Sequence, residues 1–381
     1  MDRRGFFTKG LAAGIAGLSA SSLSAEAKEV RPGPWWSPRS SELDGVLRLN
    51  SNENPLGVSP AARTAVLDAL DEANRYPRDR RAELISKLAG VHGVSESQVV
   101  LGAGSTEILQ MAVQAYEAPG ARLVIADPTF EDVPRYQEPF AYDLVRVPLT
   151  AEYAHDLDPM RAAAEEGDAP SVVYLCNPNN PTGTLTPSND IEAWIRSAPE
   201  TTLFLVDEAY LEYALDPSYR SALPLIDDYP NVVVVRTFSK IFGMAGLRLG
   251  FGLAHADTAQ RLRDFIASNN ANQLALAAAL ASLDDAELVQ RSLAANDAAL
   301  AIARATLAEL DLEMLPSHTN FVMHRINGDL DAYQARMRER DILVGRDFPP
   351  MMAWNRLSLG LVEEMATWAD ALRDFRKRGW V

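Results

Sequence analysis

Five short apolar runs recur along the middle of the chain, each followed by a turn cluster and then a helix-like stretch. They are Val99–Leu101, Leu123–Ala126, Val172–Leu175, Leu203–Val206 and Val232–Val235. Runs that are continuously apolar, rather than alternating with polar residues, belong to strands covered on both faces. Strands that alternate with helices build a mostly parallel sheet. The fold expected is α/β: a large domain with a mostly parallel sheet sandwiched by helices, then a smaller C-terminal α/β domain. A chain of 381 residues is long enough for both. From about Ala254 the chain turns Ala/Leu-rich and helical, which places the large domain at 61–265 and the small one at 266–381, after a Pro/Trp-rich arm at 28–60.

In sheets of this kind ligands sit beyond the carboxyl ends of the strands, so the residues just past each run are the candidates for chemistry. After the first run, "GAGSTEIL" offers Ser105 and Thr106 at the start of a helix whose free N–H groups can hold a phosphate. A dinucleotide fingerprint would need a third glycine where Glu107 stands. The second run leads to "DPTFEDV" and Phe130, an aromatic that either stacks on a flat ring or joins the core. The third leads to "CNPNNPTGT", whose prolines and asparagines fix a rigid turn and present Asn180. The fourth ends at Asp207, in "DEAYLEY", with Tyr210 three residues on. A carboxylate at the end of a buried strand is costly without a cationic partner. The fifth delivers Thr237, Ser239 and Lys240 into an apolar neighbourhood, with Arg248 eight positions later. Desolvation lowers a lysine's pKa and makes its amine a nucleophile for carbonyls.

Together these groups form an inventory for pyridoxal 5′-phosphate. Ser105, Thr106, Thr237, Ser239 and Arg248 suit its phosphate, and Phe130 its ring face. Asn180 and Tyr210 suit its ring oxygen, Asp207 its ring nitrogen, and Lys240 its carbonyl. Lys240, Asp207 and Tyr210 are the expected catalytic residues.

The motifs resemble those of the fold-type-I aminotransferases, nearest the histidinol-phosphate aminotransferase branch. They run in order as "LNSNENPLG" (Leu49–Gly57), "NRYP" (Asn74–Pro77), "NPNNPTG" (Asn177–Gly183), "DEAY" (Asp207–Tyr210), "TFSKIFGMAGLRLG" (Thr237–Gly250), "TNF" (Thr319–Phe321) and "RLSLG" (Arg356–Gly360). The resemblance implies transfer of an amino group between a small-molecule amino donor and a 2-oxo acid. It also implies a homodimer with shared active sites, in which Tyr76 reaches the cofactor phosphate of the neighbouring subunit. Arg356 would bind the substrate's acidic group, with Arg346 at a second anion and Asn54 also at the substrate. Two departures from the histidinol-phosphate pattern leave the identity of the donor open: Leu56 stands after "NENP", where an aromatic is often found, and Arg346 lies between Gly345 and a proline-bearing stretch. A decarboxylase or lyase on the same scaffold is the alternative reaction.

The N-terminus differs from the rest. "MDRRGFFTKGLAAGIAGLSASSLSAEA" joins paired Arg3 and Arg4 to a weakly apolar stretch and a small-residue site near Ala27. That order is expected of a twin-arginine export signal covering residues 1–27, cleaved to release a periplasmic protein. The protein would stay cytoplasmic if the signal were unused. The apolar stretch is shorter than the roughly 20 residues a membrane span needs, so no stable membrane anchor is expected. A net charge of −16 argues against nucleic acid as a partner. Five histidines at no ligand spacing and one cysteine give no metal site.

Overall fold

The structure, a computed structural model, describes residues 45–381. The expected leader at 1–27 and most of the arm lie outside the described residues. After a short strand β1 (Leu47–Leu49), seven strands build one sheet: β2 (Val99–Gly102), β3 (Arg122–Asp127), β4 (Asp143–Pro148), β5 (Ser171–Cys176), β6 (Thr202–Asp207), β7 (Val232–Thr237) and β8 (Gly250–Ala254). Their spatial order is β2-β8-β7-β6-β5-β3-β4. Neighbours from β7 to β4 are parallel, and β8 runs antiparallel to both β2 and β7.

All five apolar runs are strands, each one or two residues longer than its apolar core. β4 gives a weaker signal because it is an edge strand with one face partly open. β8 is disguised by Gly250 and Gly252, which lie where the backbone passes close to the helix Ser105–Ala115. The alternation of side chains assigns Val173, Leu175, Phe204 and Val234 to one face, packed on Leu84, Leu88, Trp194 and Leu276. Val172, Tyr174, Leu205 and Val233 take the other, packed on Ile108, Leu109, Ala112 and Leu262. Each fully buried side chain of this size contributes about 1.5–3 kcal/mol.

The C-terminal region has its own core, in which Val322, Leu357, Trp368 and Phe375 meet Leu49 from the start of the described chain. Here β9 (Phe321–Arg325) pairs antiparallel with β11 (Trp354–Ser358), and β10 (Ile342–Val344) pairs parallel with β1. The segment after β1 is thereby tied to the C-terminal strands. Asn52, in a left-handed conformation (φ 54°), donates its N–H to Ser358 Oγ at 2.8 Å and accepts from Asn320 Nδ2 at 3.0 Å through its carbonyl.

A methyl group at Gly250 would stand 2.2 Å from Ser105 N and 2.7 Å from the Gly104 carbonyl carbon, both backbone atoms that cannot move aside cheaply. Gly250→Ala is expected to destabilise the fold by about 1–3 kcal/mol. Gly90, inside the helix Arg78–His92 with open space at its Cβ, provides the control. Gly90→Ala should stabilise by about 0.5–1 kcal/mol. Urea unfolding of the two variants checks both signs.

Candidate active site

The registers of β5, β6 and β7 set Cys176 beside Asp207 and Asp207 beside Val235. The three following loops therefore leave the sheet at one edge and one level. β2 runs in the same direction as β7, since β8 is antiparallel to both, so the "GAGST" turn opens at that edge too. Between these loops lies a cleft of about 150 Å³. Every residue expected at the cofactor lines it except Tyr76.

At one end of the cleft, the helix Ser105–Ala115 begins at Gly104 (φ 84°) with no side-chain cap. Ser105 and Thr106 therefore flank N–H groups that carry the positive end of the helix dipole. Arg248, itself left-handed (φ 57°), donates to Thr106 Oγ1 at 3.2 Å and to the Ala245 carbonyl at 2.9 Å. A Cβ at residue 104 would lie 2.2 Å from Arg248 Nη2, so only glycine lets the guanidinium reach the loop. Thr237 Oγ1 accepts from the Ser239 N–H at 3.0 Å and fixes the turn that carries Lys240.

At the other end, Asp207 is buried. One carboxylate oxygen accepts from the Tyr174 hydroxyl at 2.9 Å and the other from the Ala209 N–H at 3.1 Å. Burial nonetheless pushes this carboxyl up to about 6, because the two hydrogen bonds and the charge of Lys240 offset only part of the desolvation. Lys240 Nζ donates to the Asn52 carbonyl at 3.2 Å and lies 5.5 Å from the centre of the Tyr210 ring. Burial, reinforced by the charge of Arg356, pushes its amine down to about 8. The Tyr210 hydroxyl accepts from Asn52 Nδ2 at 3.1 Å. Phe130 is half-buried, packs against the core and also lines the cleft wall.

Arg356, on β11, donates to Asn180 Oδ1 at 2.7 Å and to the Asn50 carbonyl at 2.9 Å. Its Nε is buried without a partner, and among the described residues no carboxylate lies within ion-pair distance of it. Burial lowers its pKa to about 10. It is a buried cation held by neutral acceptors.

Three expected residues stand elsewhere. Asn54 is held within the chain: its amide donates to the Ile241 carbonyl and Ser292 Oγ at 2.8 and 2.9 Å, and its oxygen accepts from the Leu56 N–H at 3.0 Å. The residue of "LNSNENPLG" that meets the lysine is Asn52. Arg346 is not a free cation, because both its terminal nitrogens are held by Glu131, at 3.0 and 2.6 Å. Tyr76 is 75 % exposed and takes no part in this chain's own cleft. Sequence reasoning missed Tyr174, although a phenol inside a valine-rich strand rarely lacks a partner. Tyr174 and Asp207 project from the same sheet face on adjacent strands.

The donor set fits pyridoxal phosphate on this geometry. An uncapped helix start, two hydroxyl-bearing turns and a guanidinium meet an anion at one end. At the other end, a carboxylate raised by burial has no cation within ion-pair distance among the described residues. A phosphate and a protonated ring nitrogen would answer those two demands from one molecule.

The profile of the family "Aminotransferase class I and II" matches residues 44–372. A histidinol-phosphate aminotransferase of Thiobacillus denitrificans is 40% identical over 86% of this chain and 84% of its own. An aromatic amino acid aminotransferase of Thermobifida fusca is 36% identical over 87% of this chain and 90% of its own. The structure of histidinol-phosphate aminotransferase from Sinorhizobium meliloti in complex with pyridoxal-5′-phosphate superposes with a TM-score of 0.80 at 28% identity, covering 87% of this chain and 91% of that one. The chain belongs to the class I and II aminotransferases.

Proposed function

We propose that this pyridoxal-phosphate-dependent aminotransferase takes its amino group from an α-amino acid held through the carboxylate by Arg356, and that it acts as an exported homodimer. The observation that carries the donor assignment is Arg356 itself, a buried guanidinium with an unpartnered Nε and, among the described residues, no carboxylate against it. A planar carboxylate is the complement of that fork.

Ser105, Thr106, Thr237, Ser239 and Arg248 would hold the cofactor phosphate, and Phe130 would lie against its ring. Asn180 and Tyr210 would meet the ring oxygen, and Asp207 the ring nitrogen. When bound, the cofactor supplies an electron-accepting ring and a carbonyl carbon that carries the amino group. Asp207 stays ionised against a cationic ring nitrogen and holds the proton there. Lys240 provides the amine that anchors the carbonyl, and its Nζ then moves a proton at the donor's α-carbon. The Asn52 carbonyl orients that amine, and Asn180 orients Arg356.

The dimer reading rests on Tyr76, Leu67 and Leu70, which are 75, 55 and 49 % exposed on neighbouring segments. In a dimer Tyr76 would turn to the partner subunit's cofactor phosphate. The export reading rests on the paired arginines and the small-residue site near Ala27. A twin-arginine route carries folded protein, so the cofactor can be loaded before export, and binding to the folded state stabilises it by mass action.

In cofactor-free protein the Lys240 amine should become reactive to a small acylating agent as pH rises through about 8, since its neutral form dominates above its lowered pKa. Exposed lysines titrate near 10.4. Peptide mass spectrometry across pH 6–10 compares them, and a Lys240 rate that climbs in step with the exposed lysines would contradict the burial argument. In the loaded enzyme Lys240→Ala should lose about 10²–10⁴-fold or more in turnover.

Arg356→Lys should raise KM for amino-acid donors roughly tenfold or more while cofactor content, read by absorbance, stays unchanged. An unaltered KM for every carboxylate donor would sink the assignment of Arg356.

Cell fractionation is expected to place the wild-type protein in the periplasm, shortened by about 27 residues and sedimenting as a dimer. Arg3→Lys combined with Arg4→Lys should retain full-length, active precursor in the cytoplasm. Wild-type protein that remains uncleaved and cytoplasmic would overturn the export reading.

A further inference from the structure

Arg346 and Arg356 line one cavity together with Asn50 and Gln334. They also share an aromatic ring, with the guanidinium carbons of Arg346 and Arg356 at 4.3 and 4.7 Å from the centre of Phe348. Two guanidinium groups so placed would suit a phosphate ester, which carries about −1.5 to −2 at neutral pH. Only one of them is available. Glu131 reaches across from the turn after β3, directly after the cleft-lining Phe130, and engages Arg346 with both carboxylate oxygens. Arg346 Nη1 also donates to the Asp347 carbonyl at 2.7 Å, and Asp347 is in turn held by Gln334 at 2.8 Å, so the guanidinium is fixed on its acidic partner.

The pair is half-exposed, and a surface ion pair of this kind contributes little to stability. Its consequence lies in charge. With Arg346 neutralised, Arg356 is the remaining buried cation of the cavity, and Arg338 stands exposed at the outer rim. A second negative charge on a donor would meet a carboxylate and not a guanidinium fork. Discrimination of this sort works by a repulsive element placed against the unwanted ligand. Both charges act on Arg356 itself: Arg346 disfavours its cation and Glu131 favours it. Arg135, 3.6 Å from Glu131 on the same helical turn, adds a second hold on the carboxylate.

We propose that Glu131 is a specificity-determining residue, which removes Arg346 from anion binding and so restricts the amino donor to one bearing a single carboxylate, against donors bearing a phosphate. This rests on the reading of Arg356 as the donor's anion site.

The test compares holoenzyme kcat/KM for a panel of α-amino acids with one carboxylate and for histidinol phosphate, in wild type, Glu131→Gln and Glu131→Gln/Arg346→Gln. Wild type should prefer a monocarboxylate donor. Glu131→Gln should raise kcat/KM for the phosphate donor about tenfold, chiefly through KM, and leave the best amino acid within about twofold. The gain should vanish in the double variant, because it needs the released Arg346. Calorimetry with inorganic phosphate gives a readout independent of turnover, and Glu131→Gln should bind it about tenfold more tightly than wild type or the double variant. An unchanged donor ratio and unchanged phosphate affinity in Glu131→Gln overturn the proposal, as does a gain that survives loss of Arg346. Failure of wild type to move an amino group from any donor would instead overturn the transamination reading, and the calorimetric result would still decide the role of Glu131.

Discussion

The parallel register of β5, β6 and β7 is the constraint on which the site depends. It fixes Cys176, Asp207 and Val235 side by side, so that the turns bearing Asn180, Tyr210 and Lys240 start from one level. Backbone hydrogen bonds within a sheet buried on both faces hold that level without help from the loops. A one-residue slip of β6 against β5 would turn Asp207 to the opposite face, away from Tyr174. The chemistry is therefore set by strand pairing before any loop takes part.

On that frame the charges are kept apart from their natural partners. Elsewhere the molecule neutralises its buried ions locally, as in Arg236 and Glu208, which meet at 2.9 Å with Ser221 and the Ala222 N–H completing the carboxylate's shell. In the cleft the opposite holds. Asp207 is satisfied by neutral donors, Lys240 by a backbone carbonyl, and Arg356 by an amide and a carbonyl. Each has neutral hydrogen-bond partners, Arg356 through its terminal nitrogens only, and among the described residues none has a counter-charge within ion-pair distance. Desolvation then moves all three toward their neutral forms, and that is what makes them responsive to a ligand carrying the missing charges.

Much of this was legible in the sequence, for a physical reason. A parallel sheet covered on both sides needs uninterrupted apolar strands, and the strand ends are the one place where polar residues are concentrated. Asp207 and Lys240 stood out because each is a charge adjoining a valine- or leucine-rich run. What escaped were pairings set by the third dimension. The Tyr174 hydroxyl serves Asp207 across two strands. Asn52 and not Asn54 meets the lysine, because a left-handed turn at residue 52 aims its carbonyl into the cleft. Glu131 and Arg346 are 215 positions apart, and no local pattern announces that they meet.

The short tie at Asn52 also couples the site to distant parts of the chain. Its carbonyl supports Lys240, yet Asn52 is itself held by Ser358, 306 positions away, and by Asn320, 268 positions away. Contacts of such separation form late, after local structure has condensed. The sheet supplies the turns that face the cofactor, whereas the support of the lysine comes from the strand that bears Ser358, which lies outside that sheet. A chain cut short before β11 would carry Asp207, Lys240 and Arg248 but neither Arg356 nor the anchor for Asn52. The support of the lysine is thus shared between a turn near residue 52 and the C-terminal strands, and is not supplied by the sheet that carries Lys240.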